Sequence, residues 1–280
     1  MPFKDTIYPL LTSGTLARVA GYAMLLAAYA GFAVWKELSI YERWGDFPAE
    51  IHAALTLVLG WLLVFRTNTA YNRWWEARTL WGGLVNASRN LSAKFRALPG
   101  CNLADRTALQ DLLCDFASAL RDHLRSPAPA TGLKAAESAP PGSNHIPVLR
   151  VTQIYQLLWT CKAAGRIDGD ELRVLDTDAS RLLEICGGCE RIRNTRIAFS
   201  YRVFARQCVF LFLITFPWGI VQEFQGWTIP LTGIMAYFML GLETVAEHVE
   251  EPFGHDDDDL DLDGLCDVID RSVRDILRDN

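Results

Sequence analysis

The stretch that most constrains the fold of this chain is residues 51–81, IHAALTLVLGWLLVFRTNTAYNRWWEARTLW. Its first half, residues 51–65, holds no Lys, Arg, Asp or Glu, whereas its second half changes to Arg, Asn, Thr and paired Trp. This change predicts a single helix that leaves a membrane. The apolar half would be about 22 Å long at about 1.5 Å per residue, which is short for a helix surrounded only by lipid. We therefore expect protein or water around part of it.

Three large apolar residues in this segment, Leu57, Trp61 and Phe65, are spaced four apart. In a helix each step of four ends about 40° beyond a full turn, so the three side chains share one stripe. Such a stripe is typical of packing against neighbouring helices, and it would also suit the lining of an opening. The residue pattern by itself leaves both interpretations open.

Three further segments lack Lys, Arg, Asp and Glu, namely residues 19–35, 207–222 and 224–242. The chain is 50% hydrophobic and 21% charged, and its apolar residues are concentrated in these segments. This clustering predicts an all-α, multi-pass membrane protein with a cytoplasmic helical region. Basic residues concentrate in the middle of the chain, so the positive-inside rule places that region and both termini in the cytoplasm of a cell.

The predicted organisation has four parts. Residues 1–66 hold an N-terminal segment and spans 1 and 2, and residues 67–198 form the cytoplasmic helical region, with a flexible loop at 126–147. Residues 199–242 hold spans 3 and 4, and residues 243–280 form an acidic cytoplasmic C-terminal segment. Helical periodicity predicts soluble helices over residues 103–124, 151–164, 170–194 and 262–277.

Several residues are candidates for chemistry. Residues 256–259 are four consecutive Asp, which would suit a hard cation such as calcium or form a solvated acidic turn paired with arginines. A membrane-embedded metalloenzyme would use Glu247, His248 and Glu251. The Cys186-Gly-Gly-Cys189 spacing is found in redox and zinc sites, but no second pair accompanies it. The absence of common catalytic motifs favours a protein that is not an enzyme.

Charge also bears on the partners. No Lys or Arg occurs from Gln207 to Asp270, which argues against nucleic acid as a partner for that end of the chain. Arg66, Arg73 and Arg78 follow the apolar segment, where they would either draw anions towards an opening or pair with the acidic residues. The sequence pattern does not decide between these two roles.

Three segments together resemble the bestrophin family in its bacterial branch: FRTNTAYNRWWEARTLWG at 65–82, FSYRVFARQCVFLFLITFPWG at 199–219 and EEPFGHDDDDLDLDGLC at 250–266. Bestrophins are pentameric ion channels, many of them selective for anions. The resemblance implies a homopentamer in the lipid bilayer that conducts small ions, with chloride favoured and a cation as the alternative. A non-conducting membrane scaffold and the metalloenzyme remain competing functions.

The resemblance also implies roles for particular residues. Leu57, Trp61 and Phe65 match the apolar neck of the family's pore, so five copies would form three stacked apolar rings. Asp256 and Asp259 match carboxylates of the calcium site of animal bestrophins. Calcium is therefore a hypothesis for this chain, and no other cofactor is expected.

Overall fold

The computed structural model describes residues 14–39, 49–126, 145–256 and 258–278. All regular elements in these ranges are helical, as the all-α prediction requires. In chain order they are α1 (Gly14–Glu37), α2 (Ala49–Ala97), α3 (Leu103–Arg125), α4 (Ile146–Ala163), α5 (Gly169–Asn194), α6 (Phe199–Phe224), a 3₁₀ helix (Gln225–Trp227), α7 (Thr228–Glu250) and α8 (Leu262–Leu277). The acidic residue Asp257 and most of the predicted loop at 126–147 lie outside the described residues.

The chain forms two compact units. The first contains the described residues up to Asn72 together with Ile197–Glu250, and the second contains Arg73–Arg196 and the described residues from Glu251 onwards. Helix α2 contributes to both units. Three helical segments, Gly14–Glu37, Glu50–Ala97 and Phe199–Glu250, are long and apolar enough to cross a membrane, judged by length and composition.

In the first unit α1 packs along α7 and also contacts α6. Small residues allow the close approach of α1 and α7, because a Cβ added at Gly233 would lie 3.2 Å from the Cβ of Ala27. Gly31 similarly faces Ile229. The small residues of the first apolar segment thus serve helix packing, as their recurrence predicts.

Helix α6 remains helical through Pro217, which lacks the N–H that the preceding turn would use. Polar groups from α1 support this region. The Tyr29 hydroxyl donates to the carbonyl of Ile214 at 3.3 Å and accepts from Trp218 Nε1 at 2.8 Å. These two hydrogen bonds connect both sides of the proline to α1 within the first unit.

The second unit is a bundle in which α3 packs against α4, α5 and α8, and α4 packs against α5. Its helix starts are capped by side chains: Asn102 with Asp105 at α3, and Asp168 with Glu171 at α5. These capping boxes satisfy backbone N–H groups that would otherwise lack partners. The core contains large residues from several helices, among them Trp81, Phe95, Phe116, Leu158 and Ile269.

Three of the four helices predicted from periodicity agree with these bounds. The segment expected over 170–194 is α5 (Gly169–Asn194), and the segment expected over 262–277 is α8. Helix α4 begins five residues before its expected start at 151, because the His145 side chain accepts the N–H of Val148 and Pro147 occupies the first turn. Ile146 and Pro147, the end of the predicted loop, are therefore helical.

Candidate functional site

The candidate site is the apolar stripe on α2. Leu57, Trp61 and Phe65 are 67%, 62% and 57% exposed, and the rings of Trp61 and Phe65 lie 5.9 Å apart between centroids. All three are therefore exposed in the single chain, although each is large and apolar. Large exposed apolar groups aligned on one stripe indicate a surface that contacts another chain or lipid, or that lines an opening from which water is excluded.

The opposite face of α2 is buried. Leu59, Leu63, Arg66 and Ala70 are at most 4% exposed, and they succeed one another at spacings of four, three and four residues. Leu59 lies two positions after Leu57, which is a rotation of about 200° around the helix. The buried stripe therefore holds α2 against its own unit and directs the candidate stripe away from that unit's core.

His52 occupies the start of this buried face. Its ring lies 6.1 Å from the ring of Phe212 and 6.5 Å from that of Phe216. A Cβ added at Gly219 would lie only 2.3 Å from His52 Nδ1, so α6 approaches α2 closely at this glycine. The histidine is thus a packing residue between α2 and α6.

Arg66 is the charged residue next to the stripe. Its side chain is fully buried, and it donates to Glu243 Oε2 at 2.8 Å and to Glu250 Oε2 at 3.2 Å. Arg206 also pairs with Glu243, at 3.3 Å. Glu250 additionally accepts the backbone N–H of Ile197. These contacts form a buried ionic network that connects α2, α6 and α7 within the first unit.

These contacts, with those of Arg73, show whether two of the arginines after the apolar segment pair with other groups or remain open to anions. Arg66 pairs with acids inside its unit. Arg73, in the second unit, donates to the backbone carbonyls of Ile192, at 2.6 Å, and Thr195 at the end of α5. A cation at a helix C-terminus is favourable because unpaired carbonyls concentrate there. Arg66 is therefore not an exposed charge, and the partly exposed Arg73 guanidinium is held by the end of α5.

Two of the three residues of the metalloenzyme alternative form ion pairs. Glu247 pairs with Arg206 at 2.5 Å in the first unit, and Glu251 pairs with Arg196 at 2.6 Å in the second. Within the described parts of the chain, Glu247, His248 and Glu251 do not belong to a group of three clustered ligand atoms. Each of the two carboxylates is therefore already paired with an arginine inside its own unit.

The acidic turn places Asp256 and Asp259 on one short loop. Asp259 Oδ2 accepts the N–H of Asp256 at 2.6 Å, and a Cβ added at Gly254 would lie 2.6 Å from the same oxygen. Oxygen donors suit calcium, but one carboxylate oxygen already closes the turn. In the described residues no third ligating side chain joins these two, so a calcium ion would also need backbone oxygens.

Cys186 and Cys189 lie on α5 with both side chains buried in the core of the second unit. Burial raises the pKa of Cys186 to about 12, and burial also raises the pKa of Cys189. Gly188 between them allows Leu80 to approach within 3.0 Å of its Cβ position. The pair is therefore a packing motif of protonated thiols, which are poor nucleophiles and poor metal ligands.

Sequence reasoning offered pairing of Arg66 with acidic residues as one of two roles, but it did not single out the partners. Glu243 and Glu250 are 177 and 184 positions away, and their seven-residue spacing on α7 places both on one face of that helix. A buried arginine next to an apolar segment requires carboxylate partners, but many acidic residues in the sequence could pair with it. Only the fold selects these two.

Comparison with known proteins supports this architecture. The model of the family described as Bacterial/Fungal Bestrophin protein matches residues 5–275. The voltage-dependent anion channel-forming protein sll1024 of Synechocystis is 31% identical over 86% of this chain and 82% of its own length. The voltage-dependent anion channel-forming protein mll4386 of Mesorhizobium japonicum is 32% identical over 94% and 84%.

Solved structures share the fold. A bacterial bestrophin homologue from Klebsiella pneumoniae matches with a TM-score of 0.81 at 23% identity, over 94% of this chain and 98% of that one. A mutant of that homologue matches with a TM-score of 0.83, over 95% and 100%. The likeness to both structures, together with the family match over nearly the whole sequence, confirms the resemblance noted from the three segments. The chain belongs to the bacterial and fungal bestrophin family.

Proposed function

We propose that this protein is an anion channel in the cell membrane, assembled as a homopentamer around one axial pore. The relatives that it matches over most of their length are named as voltage-dependent anion channel-forming proteins. The observation that carries the proposal is the stripe of Leu57, Trp61 and Phe65, which is apolar, exposed and directed away from its own unit's core. In a monomer the stripe would stay exposed, whereas in a ring of five chains the five stripes would face one another around the axis.

In the pentamer, α2 lines the pore and its stripe forms the neck. Five copies of each side chain make three stacked apolar rings, with the Trp61 ring between the other two. A narrow apolar ring controls conduction by excluding water, because an ion that loses its hydration shell finds no polar group in exchange. The neck is therefore the proposed gate.

Both termini and the second unit lie in the cytoplasm in this proposal. The basic residues that follow the apolar half of α2 and precede that of α6 support this orientation through the positive-inside rule. Lipid surrounds the outer helices, where exposed apolar side chains such as Phe32, Phe210 and Phe238 are common. No contact with nucleic acid is proposed.

The anion preference rests on the relatives' names, since Arg66 and Arg73 are engaged inside the chain and offer no open basic ring. A cation such as sodium is the alternative permeant ion. The acidic residues after α7 would favour it if they faced the ion path. The metalloenzyme alternative is weaker, because Glu247 and Glu251 each pair with an arginine.

The test is ion flux from proteoliposomes that hold the purified oligomer, with chloride and sodium gradients imposed separately. We expect chloride flux that exceeds sodium flux, and none in liposomes without protein. Sodium flux alone would replace the anion channel with a cation channel. Absence of flux for both ions, with the pentamer verified by native mass spectrometry and with the Trp61→Ala variant equally silent, would favour the membrane scaffold.

A further inference from the structure

A group of three potential metal ligands lies in the second unit and includes none of the residues of the candidate sites described above. His123 is near the end of α3, His145 is the N-cap residue of α4, and Glu190 is on α5. Their ligating atoms all lie within 4.8 Å of one another. Of the described residues, these are the ones that form a group of three or more His, Cys, Asp or Glu ligands at such distances.

The two imidazoles converge on one carboxylate oxygen. His123 Nε2 lies 2.7 Å from Glu190 Oε1, and His145 Nε2 lies 2.5 Å from the same atom. The two imidazole rings are 4.5 Å apart between centroids. All three side chains are between a quarter and just over a third exposed, so solvent reaches the group. The arrangement directs two nitrogen donors and a carboxylate to one point.

We propose that His123, His145 and Glu190 bind a late first-row divalent cation, of which Zn²⁺ is the representative. Two histidines, one carboxylate and a water molecule are an established tetrahedral donor set for zinc. Imidazole nitrogen selects Zn²⁺ and its neighbours in the series over Mg²⁺ and Ca²⁺, which prefer oxygen. The proposal does not depend on the channel function.

The required movement is small. Zinc bonds of about 2.0–2.1 Å separate tetrahedral ligand atoms by about 3.3 Å, so each nitrogen would move away from Glu190 Oε1 by less than about 1 Å. Glu190 Oε1 accepts from both imidazoles in the absence of metal, so the carboxylate already faces both nitrogen donors.

The protons can be accounted for. In the metal-free protein His145 accepts the N–H of Val148 on Nδ1, at 3.3 Å, so its neutral ring carries the proton on Nε2 and donates it to Glu190. His123 likewise donates from Nε2 to Glu190. Metal binding through Nε2 therefore moves the Nε2 proton of each ring to its Nδ1 by way of solvent. The long, exposed capping bond to Val148 is then exchanged for a bond to water, which is a small loss.

A cavity of about 380 Å³ lies beside His123, one of the three proposed ligands. Asp115 and Asp122 line its wall together with Arg150, which pairs with Asp115 at 3.5 Å. A hydrated divalent cation can approach His123 through a cavity of this size. The site thus has both a donor set and a route from solvent.

A bound ion would connect three helices of the second unit. Helices α3, α4 and α5 contact one another, and His145 follows directly on the segment 127–144 that is outside the described residues. An ion that binds the folded form and not the unfolded form stabilises it in proportion to the logarithm of its concentration. Zinc is therefore expected to raise the Tm of the second unit.

The test uses the full-length protein in detergent, freed of metal with EDTA, dialysed, incubated with excess Zn²⁺ and then desalted to remove unbound ion. We expect one Zn²⁺ per chain by elemental analysis, and a Tm that increases with Zn²⁺ and not with equal Mg²⁺. The His123→Ala and Glu190→Gln variants should each lose more than about tenfold in Zn²⁺ affinity. His255→Ala removes a histidine outside the group and is the matched control, with affinity unchanged. Equal losses in all three variants would overturn the proposal.

A measurement on the unmodified protein guards against variants that fail to fold. X-ray absorption at the zinc edge should show a first shell of nitrogen and oxygen at about 2.0–2.1 Å. A sulfur shell at about 2.3 Å would instead assign the metal to cysteines and overturn the site. Absence of bound zinc at one equivalent per chain would overturn it as well.

Discussion

Arg66 Nε lies 2.8 Å from Glu243 Oε2, although 177 positions separate the two residues in the chain. Arg66 follows directly on Phe65, the last residue of the proposed neck. A fully buried guanidinium held by carboxylates of α7 fixes the rotation of α2 within the first unit. The direction of the neck stripe is therefore set by an ion pair on the other side of the same helix.

Arg66→Met should lower the Tm of the purified oligomer strongly. The change leaves Glu243 and Glu250 buried without their shared cation, and loss of one partner of a buried pair costs about 3–5 kcal/mol. The measurement is thermal unfolding followed by tryptophan fluorescence. The matched control is Arg173→Met, whose exposed pair with Asp170 should contribute nothing measurable. Similar Tm values for the Arg66 variant and the wild type would contradict the structural role of the network.

Trp61→Ala should increase ion flux through proteoliposomes. In the proposed pentamer, replacement of five indole rings by methyl groups would widen the central ring of the neck and lower the barrier to water. Trp159→Ala is the matched control, because Trp159 is similarly exposed but lies on α4 in the second unit. Flux that is unchanged in Trp61→Ala, or raised equally in both variants, would remove Trp61 from the neck.

Gly219→Ala should destabilise the first unit. The new methyl group would lie 2.3 Å from His52 Nδ1, and the His52 ring is confined by Phe212 and Phe216. Overpacking of this kind costs about 1–3 kcal/mol. Gly187→Ala, on the exposed side of α5 with no atom within 4 Å of the new Cβ, should leave the Tm unchanged or raise it. The two Tm values test the close approach of α6 to α2.

The calcium hypothesis can be tested through Asp256 and Asp259. If the turn binds the ion, Ca²⁺ raises the Tm of the wild type, and the Asp256→Asn/Asp259→Asn double variant loses this response. Asparagine at 259 keeps an oxygen for the N–H of Asp256, so the turn itself should persist. Asp170→Asn, in an exposed pair on α5, is the control. A calcium response that survives in the double variant would place the ion elsewhere.

The acid stability of the second unit should depend on Glu190. Hydrogen bonds from His123 and His145 lower the pKa of Glu190 in the folded protein from its ordinary value of 4.5. A carboxylate with a depressed pKa contributes stability that is fully present above pH 4.5 and disappears as the pH falls through the folded value. In EDTA, Glu190→Gln should therefore have a lower Tm than the wild type at pH 6, and the difference should shrink below pH 4.5. A constant difference at all pH values would contradict this titration.

Local patterns were sufficient for the helices. Periodicity predicted the ends of α3, α5 and α8 to within one or two residues, because apolar residues recur on one face in every turn of these helices. The start of α4 was misplaced because His145 is an uncommon N-cap residue and its role depends on the Val148 N–H. The role of the Cys186 and Cys189 pair also depends on packing, because the same spacing occurs in redox sites and on buried helix faces.

Sequence by itself determined that this chain is helical, that it has long apolar segments and that it resembles the bestrophins, because these properties reside in composition, periodicity and short motifs. Only the tertiary structure decided which charges meet. Arg66 found Glu243 and Glu250, and His123 and His145 found Glu190, over separations of 45 to 184 residues. A charged group attracts any opposite charge, so the sequence does not specify which residue will be its partner. The packing of the apolar helix faces selects that partner.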